Sequence, residues 1–149
     1  MATQLQNATL TVTVTENITL NGEAINSSNV LSVSNINEVD KRIMTIPITE
    51  VVVMGFGTAV AAGTLIAANV KYLRIVNKDD TYTVRIRIKK AGAETFDIKL
   101  DPGKSFILGN VSESVAATAA AFSAFVVADS VCAQADTAPV DIEYFIAST

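Results

Sequence analysis

The stretch "KYLRIVNKDDTYTVRIRIKKAGAETFDIKLDPGKSFIL" (Lys71–Leu108) decides the fold, because it is written almost entirely in period two. In "TYTVRIRIKK" (Thr81–Lys90), Tyr82, Val84, Ile86 and Ile88 alternate with Thr81, Thr83, Arg85, Arg87 and Lys89. Side chains on a strand point to opposite faces in turn, so the pattern predicts a strand with an apolar inner face and a cationic outer face. "TFDIKL" repeats it, with Phe96, Ile98 and Leu100 inward against Asp97 and Lys99. "NKDD" (Asn77–Asp80) and "DPGK" (Asp101–Lys104) supply the turns, the latter with Pro and Gly at the central positions of a type II turn. The block reads as an antiparallel meander.

The same alternation extends outward in both directions. "ATLTVTVTENITLNG" sets Leu10, Val12 and Val14 opposite a row of threonines, and Asn21-Gly22 is a strong hairpin turn signal. Val30–Ile36 reads as a strand with Val30 out of phase, and Glu38–Ile48 as another that Pro47 ends or confines to an edge. The last strand, in "APVDIEYFIAS", turns Val140, Ile142, Tyr144 and Ile146 away from Asp141 and Glu143. Glu113–Ala128 is ambiguous: its alanines favour a short helix or loop, and "AFSAFVVADS" favours a strand. The expected fold is all-β, a jelly-roll-like antiparallel β-sandwich of eight to ten strands with room for one short helix. It is expected to form one domain over residues 1–149, with residues 1–8 as a flexible or exchanged arm.

"VVVMGFGTAVAAGTLIAANV" (Val51–Val70) is 20 residues without a charge, long enough to cross a bilayer as a helix. Three glycines, two threonines and β-branched ends fit two buried strands joined by a Gly/Ala/Thr connection better. No membrane contact is expected, and the N-terminus has no basic head and apolar run of a signal peptide.

The chain has no histidine and one cysteine. A Ser–His–Asp triad, a Cys–His pair and His-ligated zinc are thereby excluded. Cys132, between apolar and small residues, reads as a buried small hydrophobe. Asn77, Asp79 and Asp80 offer oxygen ligands, but their spacing matches no calcium loop. "GFGTAVAAG" lacks the Lys-Ser/Thr ending of a phosphate loop, and Asp141 with Glu143 reads as surface charge. No enzyme, no cofactor and no metal site is expected.

Charge is distributed unevenly. Nine of the 11 Lys+Arg residues lie between Lys71 and Leu108 beside five acids, a local charge of +4 against −8 elsewhere. The outward stripe Arg85, Arg87 and Lys89, with Lys90 and Lys99, is therefore the candidate partner-binding site, with Glu94 and Asp97 able to pair across the hairpin. An acidic protein surface fits it better than nucleic acid, because the chain is acidic overall and no aromatic platform interleaves with the cations. Half the residues are hydrophobic and only 17% charged, so subunit interfaces are the expected outlet for the apolar surplus.

The phrases "ITLNG" (Ile18–Gly22), "NINEVDKRIMTIP" (Asn35–Pro47), "AGTLIAANVKYLRIVNKDDTYTVRIRI" (Ala62–Ile88) and "FDIKLDPGKSFIL" (Phe96–Leu108) resemble small virion proteins of tailed bacteriophages. Among these the chain is most similar to the all-β capsid decoration, or cement, proteins. The resemblance implies a homo-oligomer, with a trimer favoured, made in the host cytoplasm and bound to the major capsid protein on the assembled shell. A tail or fibre component is the alternative it leaves open.

Overall fold

The computed structural model describes residues 6–90, 95–109 and 128–149. Its ordered elements are strands, with a 3-10 turn at Ala67–Asn69 and no α-helix among the described residues. The readings of Glu113–Val127, of Glu94 and of the arm's first five residues fall outside the described residues. The chain separates into two compact units, Met1–Asn37 and Glu38–Thr149.

In the first unit, β1 (Ala8–Glu16) pairs antiparallel with β4 (Ser27–Ile36), and β2 (Thr19–Leu20) with β3 (Glu23–Ala24). The register is continuous from Leu10↔Val33 to Leu20↔Glu23, so the unit is one long hairpin closed by Asn21 and Gly22. Both turn residues have positive φ, 52° and 84°. Two successive positive φ values match the twist of the flanking strands, which is why Asn-Gly closes two-residue hairpins. The register slips between Ala8 and Leu10, opposite Asn35, which adopts φ 63°.

Among the described residues the second unit is a sandwich of nine strands. These are β5 (Glu38–Ile46), β6 (Val51–Gly57), β7 (Thr64–Ile66), β8 (Val70–Asn77), β9 (Val84–Lys89), β10 (Thr95–Leu100), β11 (Ser105–Gly109), β12 (Ser130–Ala135) and β13 (Val140–Ser148). One sheet has the order β10-β9-β12-β6-β7, the other β11-β8-β13-β5. All pairs are antiparallel except β6 with β7. Without β7, the chain crosses between sheets so that β6-β12-β9-β10 faces β5-β13-β8-β11. This is jelly-roll connectivity, with the last strand inserted between the first and third.

Alternation places the core. Val84, Ile86 and Val131 from the five-stranded sheet meet Ile46, Leu73, Ile75, Val140, Ile142 and Ile146 from the four-stranded one, each almost fully buried. Removing such a side chain from water is worth about 1.5–3 kcal/mol, and the interior is filled by aliphatic residues with little help from aromatics. β5 stops at Ile46, immediately before Pro47. Gly103 has φ 70°, and the Lys104 amide donates to the Asp101 carbonyl at 3.0 Å, as the type II turn requires. The uncharged Val51–Val70 stretch becomes β6, a connection and β7. No helix among the described residues is long and apolar enough to cross a membrane.

Two inward assignments are corrected. Tyr82 lies ahead of β9, which starts at Val84, and is exposed. The Asp79 carboxylate accepts the Thr81 and Tyr82 amides at 2.8 and 2.7 Å, so the turn claims these residues before the ladder can. Phe96 pairs with Ile88 in register, yet it is half exposed near the start of β10, an outer strand of its sheet.

Candidate partner-binding faces

The cationic stripe is a real feature of β9, but its charges are not equivalent. Asp97 on β10 lies opposite Arg87, and Lys99 opposite Arg85. The Arg87 fork donates through Nε to Asp97 Oδ1 at 2.7 Å and through Nη2 to Oδ2 at 2.6 Å. Its third donor, Nη1, reaches Glu50 Oε2 at 2.9 Å, and the Lys89 ammonium donates to Glu50 Oε1. Two cations and two carboxylates thus form one closed cluster on the outer face of the five-stranded sheet. A fork held by two parallel charge-assisted bonds is the stronger and more directional kind of ion pair.

The titration of the four groups follows from these contacts. The Lys89 hydrogen bond holds the Glu50 carboxyl below its ordinary value, against an opposing desolvation. The Arg87 hydrogen bond does the same for Asp97. Reciprocally, Glu50 raises Lys89 and Asp97 raises Arg87. Each cation is held charged by a carboxylate of its own protein.

Arg85 and Lys99 remain more open. Arg85 Nε is 4.0 Å from Asp97 Oδ2, with its side chain half exposed, and Lys99 pairs with the exposed Asp101 at 3.2 Å. Together with Thr83, Asp97, Gln134 and Asp136 they line an open groove of about 690 Å³. Lys90 follows the end of β9 and is partly buried. Of the five candidate residues, the geometry brings Arg85 and Lys99 side by side over a groove and commits Arg87 and Lys89 to Glu50 and Asp97.

Glu50 was not among the sequence candidates. It lies 37 residues from Arg87, just ahead of β6, and only the insertion of β12 between β6 and β9 sets its distance from the stripe. Its one local mark is a carboxylate placed immediately before an apolar strand.

The outer face of the four-stranded sheet mixes exposed apolar side chains with one ion-pair cluster. Ile107, Arg74, Phe145 and Lys41 form one row across it; Val76, Glu143 and Ile43 form the next; Tyr72, Ala147 and Val39 form a third. Val39, Ile43 and Ile107 are 55%, 62% and 43% exposed. Tyr72 and Phe145 meet edge to face at 5.9 Å between ring centres. At the centre, Arg74 Nη2 donates to Glu143 Oε1 at 2.6 Å, with Lys41 at 3.7 Å from the other oxygen. Glu143 is thereby matched, and Asp141 accepts the Thr45 hydroxyl at 2.6 Å. These two carboxylates share a strand face as expected, each with its own partner.

The acidic turn is occupied by its own backbone. Asn77, fully buried, donates through Nδ2 to the carbonyls of Tyr82 and Leu100 at 2.9 and 3.0 Å and accepts the Asp79 amide at 2.9 Å. The Tyr82 amide, followed by that of Thr81, lowers the Asp79 carboxyl. Among the described residues no group of three or more His, Cys, Asp or Glu is placed to hold a metal. Cys132 is buried, with its sulfur 3.7 Å from the Ser130 hydroxyl. Comparison of the chain with protein-family models, curated proteins and solved structures finds no match.

Proposed function

We propose that this chain is a structural virion protein that decorates the capsid of a tailed bacteriophage, binding the assembled shell and stabilising it. The observation that carries the reading is the outer face of the four-stranded sheet. A sandwich that already has a closed core of its own still presents Val39, Ile43 and Ile107 to solvent around one buried-edge ion pair. These exposed apolar side chains, on both edge strands of the sheet and flanking that ion pair, are suited to contact with another protein. The groove beside Arg85 and Lys99 supplies a second, polar contact for an acidic segment of the capsid protein.

Such a protein acts mechanically. It binds the closed lattice better than free capsid subunits, so mass action favours the closed shell. Many copies with modest individual affinity add up, because each site raises the local concentration of the next. The resemblance of Lys71–Leu108 to decoration proteins agrees with this reading.

The test is co-sedimentation of the purified chain with shells stripped of it. Ile43→Asp should lower occupancy at least tenfold and the pair Arg85→Glu, Lys99→Glu by only a few-fold, while Lys89→Gln should change it less than twofold. Imaging of native particles should place the density over the shell. Density confined to the tail, or absence from the particle, would refute shell decoration.

A further inference from the structure

We propose that the groove beside Arg85 takes an extended peptide segment of mixed charge, an acidic residue followed two positions later by a basic one, and that Asp136 selects the basic position. The inference deepens the groove's part in shell binding and rests on that reading for whose segment this is. Its charge pattern comes from the second unit alone and is tested on the purified chain.

Register places the groups. Lys99, Arg85 and Gln134 form one row across β10, β9 and β12 on the outer face. The ladder between β9 and β12 ends where Val84 pairs with Ala135. One residue further, the Asp136 amide donates to the Thr83 carbonyl at 3.1 Å, so Thr83 and Asp136 extend the face by another row. Both rows line the groove. Neighbouring strands lie about 4.8 Å apart and alternate residues of one strand about 6.7 Å apart, which sets the Arg85 and Asp136 backbones roughly 8 Å from each other.

The two charges are open. Arg85 has Asp97 at 4.0 Å, but both Asp97 oxygens already accept from Arg87. Among the described residues the Arg85 guanidinium makes no hydrogen bond, the exposed Asp136 carboxylate has no side-chain partner, and no ion pair joins the two. Between them Gln134 donates through Nε2 to the Ile48 carbonyl at 2.9 Å, which fixes its amide and leaves the oxygen for a ligand.

A site with an open guanidinium and an open carboxylate fits a ligand that carries both signs. Nucleic acid supplies only phosphates, which Asp97 and Asp136 repel. A glycan would lack a ring to stack on, since no lining residue is aromatic. A wholly acidic segment would satisfy Arg85 and Lys99 and set its next carboxylate against Asp136. In an extended segment, side chains on one side recur every second residue, about 6.7 Å apart, close to the spacing of Arg85 and Asp136. An Asp/Glu-x-Lys/Arg segment therefore meets the site, with its carboxylate on the Arg85 fork and its cation on Asp136. Exposed ion pairs contribute little affinity each, so the groove selects a segment more than it holds one.

The test is an NMR titration of the purified chain at low ionic strength with blocked peptides centred on Glu-Ala-Lys, Glu-Ala-Glu and Lys-Ala-Lys. The first should bind about fivefold more tightly than either of the others and shift the amides of Arg85, Gln134 and Asp136. Asp136→Lys should turn the preference to Glu-Ala-Glu, and Arg85→Glu should turn it to Lys-Ala-Lys. Asp136→Asn keeps the shape of the side chain and should bring the first two peptides within about twofold of each other. Equal binding of the three peptides by the parent, shifts confined to other faces, or a preference that Asp136→Lys and Asp136→Asn leave unchanged would each overturn the proposal. Discrimination by a chain that binds no shell would support the charge pattern and remove the capsid protein as the source of the segment.

Discussion

Replacing Asn77 tests whether one buried amide holds the end of the sandwich together. Asn77 closes β8 in the four-stranded sheet, and its side chain reaches Leu100 at the end of β10 in the other. Its backbone amide donates to the Lys104 carbonyl at 2.9 Å, and the next amide, Lys78, donates to Asp141. Asn77→Leu keeps the branched shape with somewhat more bulk, and withdraws the donors from the Tyr82 and Leu100 carbonyls and the acceptor from the Asp79 amide. A buried group left unpaired costs about 1–3 kcal/mol, and the two partly buried contacts cost less because water can replace them. The sum is about 2–4 kcal/mol, a large share of the roughly 5–15 kcal/mol that holds a domain folded. At about 4 °C per kcal/mol the melting midpoint should fall by about 8–16 °C. Asn77→Asp sharpens the test, since it keeps the acceptor for Asp79 but turns a carboxylate oxygen towards two carbonyls. That carboxyl should titrate above the unfolded Asp value of about 3.9, so below that pH only the loss of one of the two donors remains. The deficit then grows as pH rises through the raised folded value. Chemical denaturation of both variants beside the parent, from pH 4 to pH 8, measures this. A loss below about 1 kcal/mol in Asn77→Leu, or a deficit in Asn77→Asp that is flat with pH, would refute the account.

The Glu50–Arg87–Asp97–Lys89 cluster contributes stability that is present above the ordinary carboxylate pKa values and lost as pH falls through the lowered folded ones. Glu50→Gln with Asp97→Asn should therefore flatten the acid limb of the stability profile, by about 1 kcal/mol or less because the groups are partly solvated. Gly103→Ala should cost about 1–2 kcal/mol by denaturation through backbone conformation alone, since φ is 70° and nothing lies within 4 Å of the added carbon. Gly57→Ala should cost more than an ordinary strand Gly→Ala change, because the new carbon would sit 2.9 Å from the Thr64 methyl. Cys132, 2% exposed, should react with a thiol reagent only at the global unfolding rate, and fast labelling of the native protein would contradict its placement.

How much of this was legible in the chain depends on the range of the interaction. Strand alternation and turns are local, so β9, β13, the Asn21-Gly22 and Pro102-Gly103 turns and the stop at Pro47 could all be read from neighbours. The all-β sandwich followed from them. Alternation puts Tyr82 inward, and fails there because its phase competes with the carboxylate of Asp79 three residues earlier. Phe96 keeps its inward phase, but alternation does not register its place near the end of an outer strand. Glu50 is invisible for a different reason. Its meeting with Arg87 and Lys89 depends on the order of β6, β12 and β9, which no local pattern encodes.

That one meeting changes the electrostatic meaning of the sequence. Along the chain, Lys71–Leu108 is a basic block within an acidic protein. In space, Glu50 crosses from the acidic remainder into the basic face and, with Asp97, balances Arg87 and Lys89. Arg85 and Lys99 are left beside Asp101, so the four cations Arg85, Arg87, Lys89 and Lys99 face three carboxylates and the net charge there is small. A contact of that kind neither steers a partner strongly from a distance nor weakens steeply with salt, since exposed charges are screened beyond about 10 Å at 0.1 M ionic strength. The affinity for a shell must then come mainly from Val39, Ile43 and Ile107, with Arg85 and Lys99 fixing orientation. Raising salt from 50 to 500 mM should accordingly reduce shell occupancy by less than about threefold, while Ile43→Asp removes most of it. A steep salt dependence with a silent Ile43→Asp would transfer the binding to the charged groove and reverse the roles of the two sheets.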